Sequence, residues 1–83
     1  MTYRYKTEGV CSRSITLEIE DGRVQHVQFE GGCNGNTQGM ARLVEGMEAE
    51  EAVRRLSGIR CGSKASSCPD QLAEAIREAM ATR

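Results

Sequence analysis

Four cysteines, Cys11, Cys33, Cys61 and Cys68, are the side chains in this 83-residue sequence best suited to chemistry. Thiolates ligate zinc, hold iron–sulfur clusters and exchange disulfides. The polar segment from Met1 to Val10 has no apolar leader, so the cysteines are expected to meet a reducing cytoplasm, where metal binding or thiol redox chemistry is favoured over two disulfides. The spacing C-x21-C-x27-C-x6-C lacks the C-x2-C knuckles of an ordinary zinc ribbon, so sequence context carries the argument. Cys33 lies in Gly31-Gly32-Cys33-Asn34-Gly35-Asn36 just ahead of one helical pattern, and Cys68 lies in Ser66-Ser67-Cys68-Pro69-Asp70 ahead of another. Pro69 suits the first helical position, which makes Cys68 the expected N-cap. The start of a helix carries the positive end of the peptide dipole and favours a thiolate over a thiol. Cys11 and Cys61 fall in loops that would close over the same point. All four are expected to ligate one zinc ion or iron–sulfur cluster, with Arg13, Arg60 or Lys64 offsetting the thiolate charge.

Other chemistries find less support. The glycines around Cys33 are not followed by Gly-Lys-Ser/Thr and do not form G-x-G-x-x-G, so a tight turn explains them better than a nucleotide cradle. His26 has polar neighbours on its strand face and reads as solvated; a single histidine with scattered carboxylates makes no hydrolase site. Eleven basic and twelve acidic residues, with no long block of either sign, argue against a dedicated nucleic-acid or membrane-surface binder. No run approaches the ~20 apolar residues of a membrane span.

The elements that must position the cysteines follow from periodicity. The length supports one domain over residues 1–83, with a thin core that would gain from a metal or a partner. Ser14 to Glu20 alternates, placing Ile15, Leu17 and Ile19 on one face. Arg23 to Glu30 returns as the second arm of a hairpin, with Val27 and Phe29 inward. A two-residue Asp21-Gly22 loop would set Leu17 opposite His26, so a three-residue loop, Glu20-Asp21-Gly22, with Ile15 opposite Val27, is expected. Thr2 to Lys6 reads as an edge strand. Beyond Gly32 the period becomes helical: Met40, Leu43, Val44 and Met47 share a face, with Asn34 or Asn36 as cap and Gly46 as stop. A short second helix carries Ala49, Ala52, Val53 and Leu56 and closes at Ser57-Gly58; a third starts at Pro69 and buries Leu72, Ala73, Ile76 and Met80. The fold class is α+β, a short antiparallel sheet followed by three helices on one face.

The segments Gly31 to Met47, Ile59-Arg60-Cys61-Gly62 and Ser66-Ser67-Cys68-Pro69-Asp70 together resemble the TSCPD-domain family, with a serine where the name-giving motif begins in threonine. Its members are small stand-alone proteins and C-terminal domains of cobalamin-dependent ribonucleotide reductases. The order of Cys11, Cys33 and Cys68 around a strand and two helices is also similar to the NifU-type iron–sulfur scaffold. That likeness implies a NifU/SufE-like fold with these three as ligands; Cys61 has no counterpart, and Ser12-Arg13 replaces the usual Gly-Asp after the first cysteine. The resemblances imply a cysteine-centred accessory module of nucleotide metabolism whose partner is a reductase or a cluster-related enzyme. The alternatives are a thiol redox module using Cys61 and Cys68, or a cluster assembly and transfer protein. Self-sufficient ribonucleotide reduction is not expected, because a thin core cannot enclose a substrate cavity of ~300 Å³ or more.

Overall fold

The computed structural model describes residues 1–10, 12–31, 34–60, 62 and 66–82. Along the chain run β1 (Thr2–Lys6), β2 (Ser12–Glu20), β3 (Arg23–Gly31), α1 (Asn34–Val44), α2 (Ala49–Leu56) and α3 (Cys68–Thr82). The strands form an antiparallel sheet in the order β1-β2-β3, so the α+β class and the edge position of the first strand are as the sequence implies. Alternation puts Ile15, Leu17 and Ile19 of the central strand on the inner face, each essentially inaccessible to water. Tyr3 and Tyr5 pair beside Leu17 and Ile15, and the Tyr3 hydroxyl donates to Glu78 Oε1 at 2.5 Å, tying the edge strand to α3.

The hairpin departs from the expected register. The loop is the two-residue Asp21-Gly22, with φ of 54° and 75°, a primed turn whose twist suits the flanking strands. Ile19 therefore faces Val24. Gln25 then has no opposite residue on β2, and beyond this bulge Leu17 faces Val27 and Ile15 faces Phe29, not Val27. One extra residue reverses the facing of everything beyond it, so Val24 and Val27 are both buried although they stand three apart. The bulge satisfies both the tight loop and the apolar inner face.

The segment after α1 docks on this hairpin. Gly46 N–H donates to the Val24 carbonyl at 2.7 Å, Val24 N–H to the Met47 carbonyl at 2.9 Å, and Ala49 N–H to the Gly22 carbonyl at 2.8 Å. Gly46 ends the helical segment with φ of 89°, a conformation that glycine adopts without a Cβ penalty. These bonds fix the rotation of α1, which buries Thr37, Ala41 and Val44 at i, i+4 and i+7. Leu43, expected on the buried face, is 76% exposed, while Met40 and Met47 pack at the core margin. Asn34 and Asn36 lie within α1. α2 buries Ala49 and Ala52, and its end is marked by the Ser57 N–H bond to the Val53 carbonyl, with Gly58 following at φ of 82°.

α3 lies against α2 and the inner face of the sheet. It buries Leu72, Ala73, Ala75, Ile76 and Ala79, with Met80 at the margin of the core. Each wholly buried Leu or Ile here is worth about 1.5–3 kcal/mol of transfer free energy. Among the described residues no helix is long and apolar enough to cross a membrane.

Candidate functional site at the start of the third helix

The first turn of α3 is built from Ser66-Ser67-Cys68-Pro69-Asp70, and its cap differs from the expected one. The Asp70 N–H donates to Ser67 Oγ at 3.2 Å and the Gln71 N–H to the Ser67 carbonyl at 2.8 Å, so Ser67 is the N-cap and Cys68 the first helical residue. A hydroxyl oxygen accepts an amide hydrogen bond better than sulfur does, and Pro69, which has no N–H, sits in the first turn, where none is needed. Ser67 is 3% exposed, and its hydroxyl also donates to the Ile59 carbonyl at 2.6 Å.

Asp70 holds the next layer. One carboxylate oxygen accepts the Gly58 N–H at 2.7 Å and the other the Ser66 hydroxyl at 2.5 Å. The Ser66 hydrogen bond, followed by that from Gly58, keeps the carboxyl below its ordinary pKa, and Arg77 adds to the effect. Gln71 is buried; its amide donates to Ser66 Oγ at 3.1 Å, and its carbonyl accepts the Glu8 N–H at 2.9 Å. The turn is thereby tied both to the segment following α2 and to the β1–β2 connection, where Thr7 N–H donates to the Arg13 carbonyl and the Thr7 hydroxyl to the Ser12 carbonyl.

Cys68 is a free, half-buried thiol whose Sγ lies 3.3 Å from Ser12 Oγ. Cys11, Cys33 and Cys61 lie outside the described residues, so their meeting with Cys68 is a matter for proposal. Their described neighbours in sequence do converge on this end of the domain. Ser12, next to Cys11, touches Cys68 and pairs with Gly31, two residues before Cys33; Ile59, two residues before Cys61, receives the Ser67 hydroxyl. Among the described residues no group of three or more His, Cys, Asp or Glu side chains could hold a metal ion. His26 is exposed, with Nδ1 3.2 Å from Glu45 Oε2, in keeping with a solvated side chain.

Ser12 and Ser67 stand in the sequence only as parts of motifs around Cys11 and Cys68, with no role of their own, and Gln71 is unmarked. A signal for Ser67 was present, because Ser67-Cys68-Pro69-Asp70 has the S-x-x-D form of a capping sequence. Ser12 and Gln71 carry no such local mark, since the contacts that bring each to this site, Ser12 with Cys68 and Gln71 with Glu8, span 56 and 63 residues. Chemically, the turn offers one thiol beside a hydroxyl, held on a helix start that hydrogen bonds on both sides have already fixed.

The TSCPD domain family model matches residues 1–80, from β1 through most of α3, and the match spans all four cysteines. No curated protein and no solved structure matches, so nothing in these comparisons supports the NifU-type likeness. The extent of the family match and the presence of the motif at the head of α3 lead to one conclusion: the chain belongs to the TSCPD-domain family.

Proposed function

We propose that this protein is an accessory module for a ribonucleotide reductase, in which Cys68 joins Cys11, Cys33 and Cys61 as ligands of a zinc ion or iron–sulfur cluster. One observation carries the reading. Ser66, Ser67 and Asp70 each bind groups that hold the turn in place, whereas among the described residues the Cys68 thiol has one polar contact, with Ser12 Oγ, and does not cap the helix. A thiol that does not cap the helix, set on a helix start that its neighbours hold in place, is placed for chemistry. The convergence of the residues flanking the other three cysteines supports the same reading. A bound metal would cross-link those loops and add its binding free energy to that of folding. The half-buried thiol would serve as a ligand, and Ser12 Oγ–H would hydrogen-bond its sulfur from outside the coordination sphere.

Anaerobic purification followed by elemental analysis and an optical spectrum tests this. About one zinc per chain in a colourless sample, or iron and sulfide in a brown one, supports the proposal, and Cys68→Ser must lower the metal content. A metal-free protein in which Cys68 is the thiol most reactive toward alkylation would overturn it in favour of thiol redox chemistry. Co-purification with a ribonucleotide reductase from cell extract tests the association.

A further inference from the structure

The outer face of the sheet, opposite the helices, carries a second feature. Arg4 and Lys6 project there from β1 beside Thr16 and Ser14, because Tyr3 and Tyr5 take the inner face. Plain alternation from Ile15 would turn Arg13 inward. Instead Ser12 pairs with Gly31 and Ser14 with Glu30, leaving Arg13 without an opposite residue in a second bulge, and its side chain is exposed. Gly31 lies against Arg13 with φ of 80°, a backbone conformation that glycine adopts without strain. Arg4, Lys6, Arg13, Ser14 and Glu30 line one open hollow of about 470 Å³.

Three cations and one carboxylate leave a local surplus of positive charge on a chain whose formal net charge is -1. Glu30 is already engaged. Its Oε1 accepts the Ser14 hydroxyl at 2.5 Å and Arg4 Nη2 at 2.8 Å, contacts that keep its carboxyl below the ordinary pKa, the Ser14 bond foremost. Among the described residues, Lys6 and Arg13 have no ion-pair partner and no aromatic ring on which a base could stack lines the hollow.

From this arrangement we propose that the outer-face hollow of Arg4, Lys6 and Arg13 binds a phosphate-bearing anion. The Arg13 guanidinium offers a forked donor and Lys6 a compact charge, a pairing suited to phosphate oxygens. Glu30, itself held by the Ser14 hydroxyl, braces Arg4. The proposal does not rest on metal binding by the cysteines.

Titration of the isotopically labelled protein with sodium tripolyphosphate, followed by amide chemical shifts, is the test. Saturable shifts centred on Arg4, Lys6, Arg13 and Ser14 are expected. Lys6→Gln and Arg13→Gln should each weaken binding roughly tenfold, the loss of one charge-assisted contact, while Glu30→Gln should tighten it. Arg54→Gln, at an exposed position on α2, serves as control and should change nothing. ATP binding as tightly as tripolyphosphate assigns recognition to the phosphates alone; tighter ATP binding adds a contribution from the nucleoside. No saturable shift, or affinity unchanged in Lys6→Gln and Arg13→Gln, overturns the proposal and leaves these cations as guards against pairing at the β1 edge.

Discussion

Replacing Ser67 by alanine probes the site most sharply, because the structure moves the helix cap from the cysteine to its neighbour. The substitution removes the oxygen that accepts the Asp70 N–H and the hydroxyl that donates to Ile59. Loss of a serine N-cap costs about 0.5–2 kcal/mol, typically ~1. The second hydrogen bond adds about 0.5–1.5 kcal/mol, the smaller part of that range if water reaches the Ile59 carbonyl, whose residue is 42% exposed. The sum is about 2 kcal/mol, which for a domain of this size lowers the melting temperature by roughly 8–16 °C. Urea and thermal unfolding followed by circular dichroism, in chelator and reductant, would measure it on metal-free protein. In the same buffer Cys68→Ser should stay within about 0.5 kcal/mol of the parent, because that side chain does not cap the helix. If Ser67→Ala costs no more than Cys68→Ala, Ser67 is not the cap and Cys68 is not set apart for chemistry.

Two further outcomes follow from packing and charge. Leu43→Ala should change stability by less than about 0.5 kcal/mol, since the side chain is largely in water, whereas Leu72→Ala, at a fully buried position, should cost about 2–5 kcal/mol; denaturant melts compare them directly. Asp70 has a folded pKa below its unfolded value, so its contribution to stability is fully present above the unfolded pKa, near 4, and is lost as the pH falls through the folded one. Asp70→Asn should therefore flatten the acid limb of the melting-temperature profile below about pH 4.5. It should also lower stability at neutral pH, because an amide cannot accept on both sides as the carboxylate does. An unchanged acid limb would show that the Ser66 and Gly58 bonds do not favour the charged form.

Local pattern reached far into this protein. Strict alternation in Ser14 to Glu20 identified the central strand and its buried face, Asp21-Gly22 marked the hairpin, and Gly46 and Gly58 marked helix ends, because each depends on the backbone preferences of a few adjacent residues. The cysteine motif was legible for the same reason, as was the family to which it belongs. What the tertiary structure decided were relations between distant segments. The three-residue step from Val24 to Val27 is compatible with more than one register until the inner face of β2 must be filled, and only then does a bulge at Gln25 satisfy both valines. Hydrophobicity assigned Leu43 to the core, but the bonds joining Val24 to Gly46 and Met47 set the rotation of α1 and present Ala41 and Thr37 instead. At the start of α3, Ser67 and Cys68 are adjacent candidates for the cap. The Ile59 carbonyl, across the loop after α2, and the Ser12 hydroxyl, brought from 56 residues away, give each its separate place. Short-range sterics are written in consecutive residues, whereas rotation, register and the division of duties within a motif depend on which surfaces meet, and that is decided only when the whole core closes.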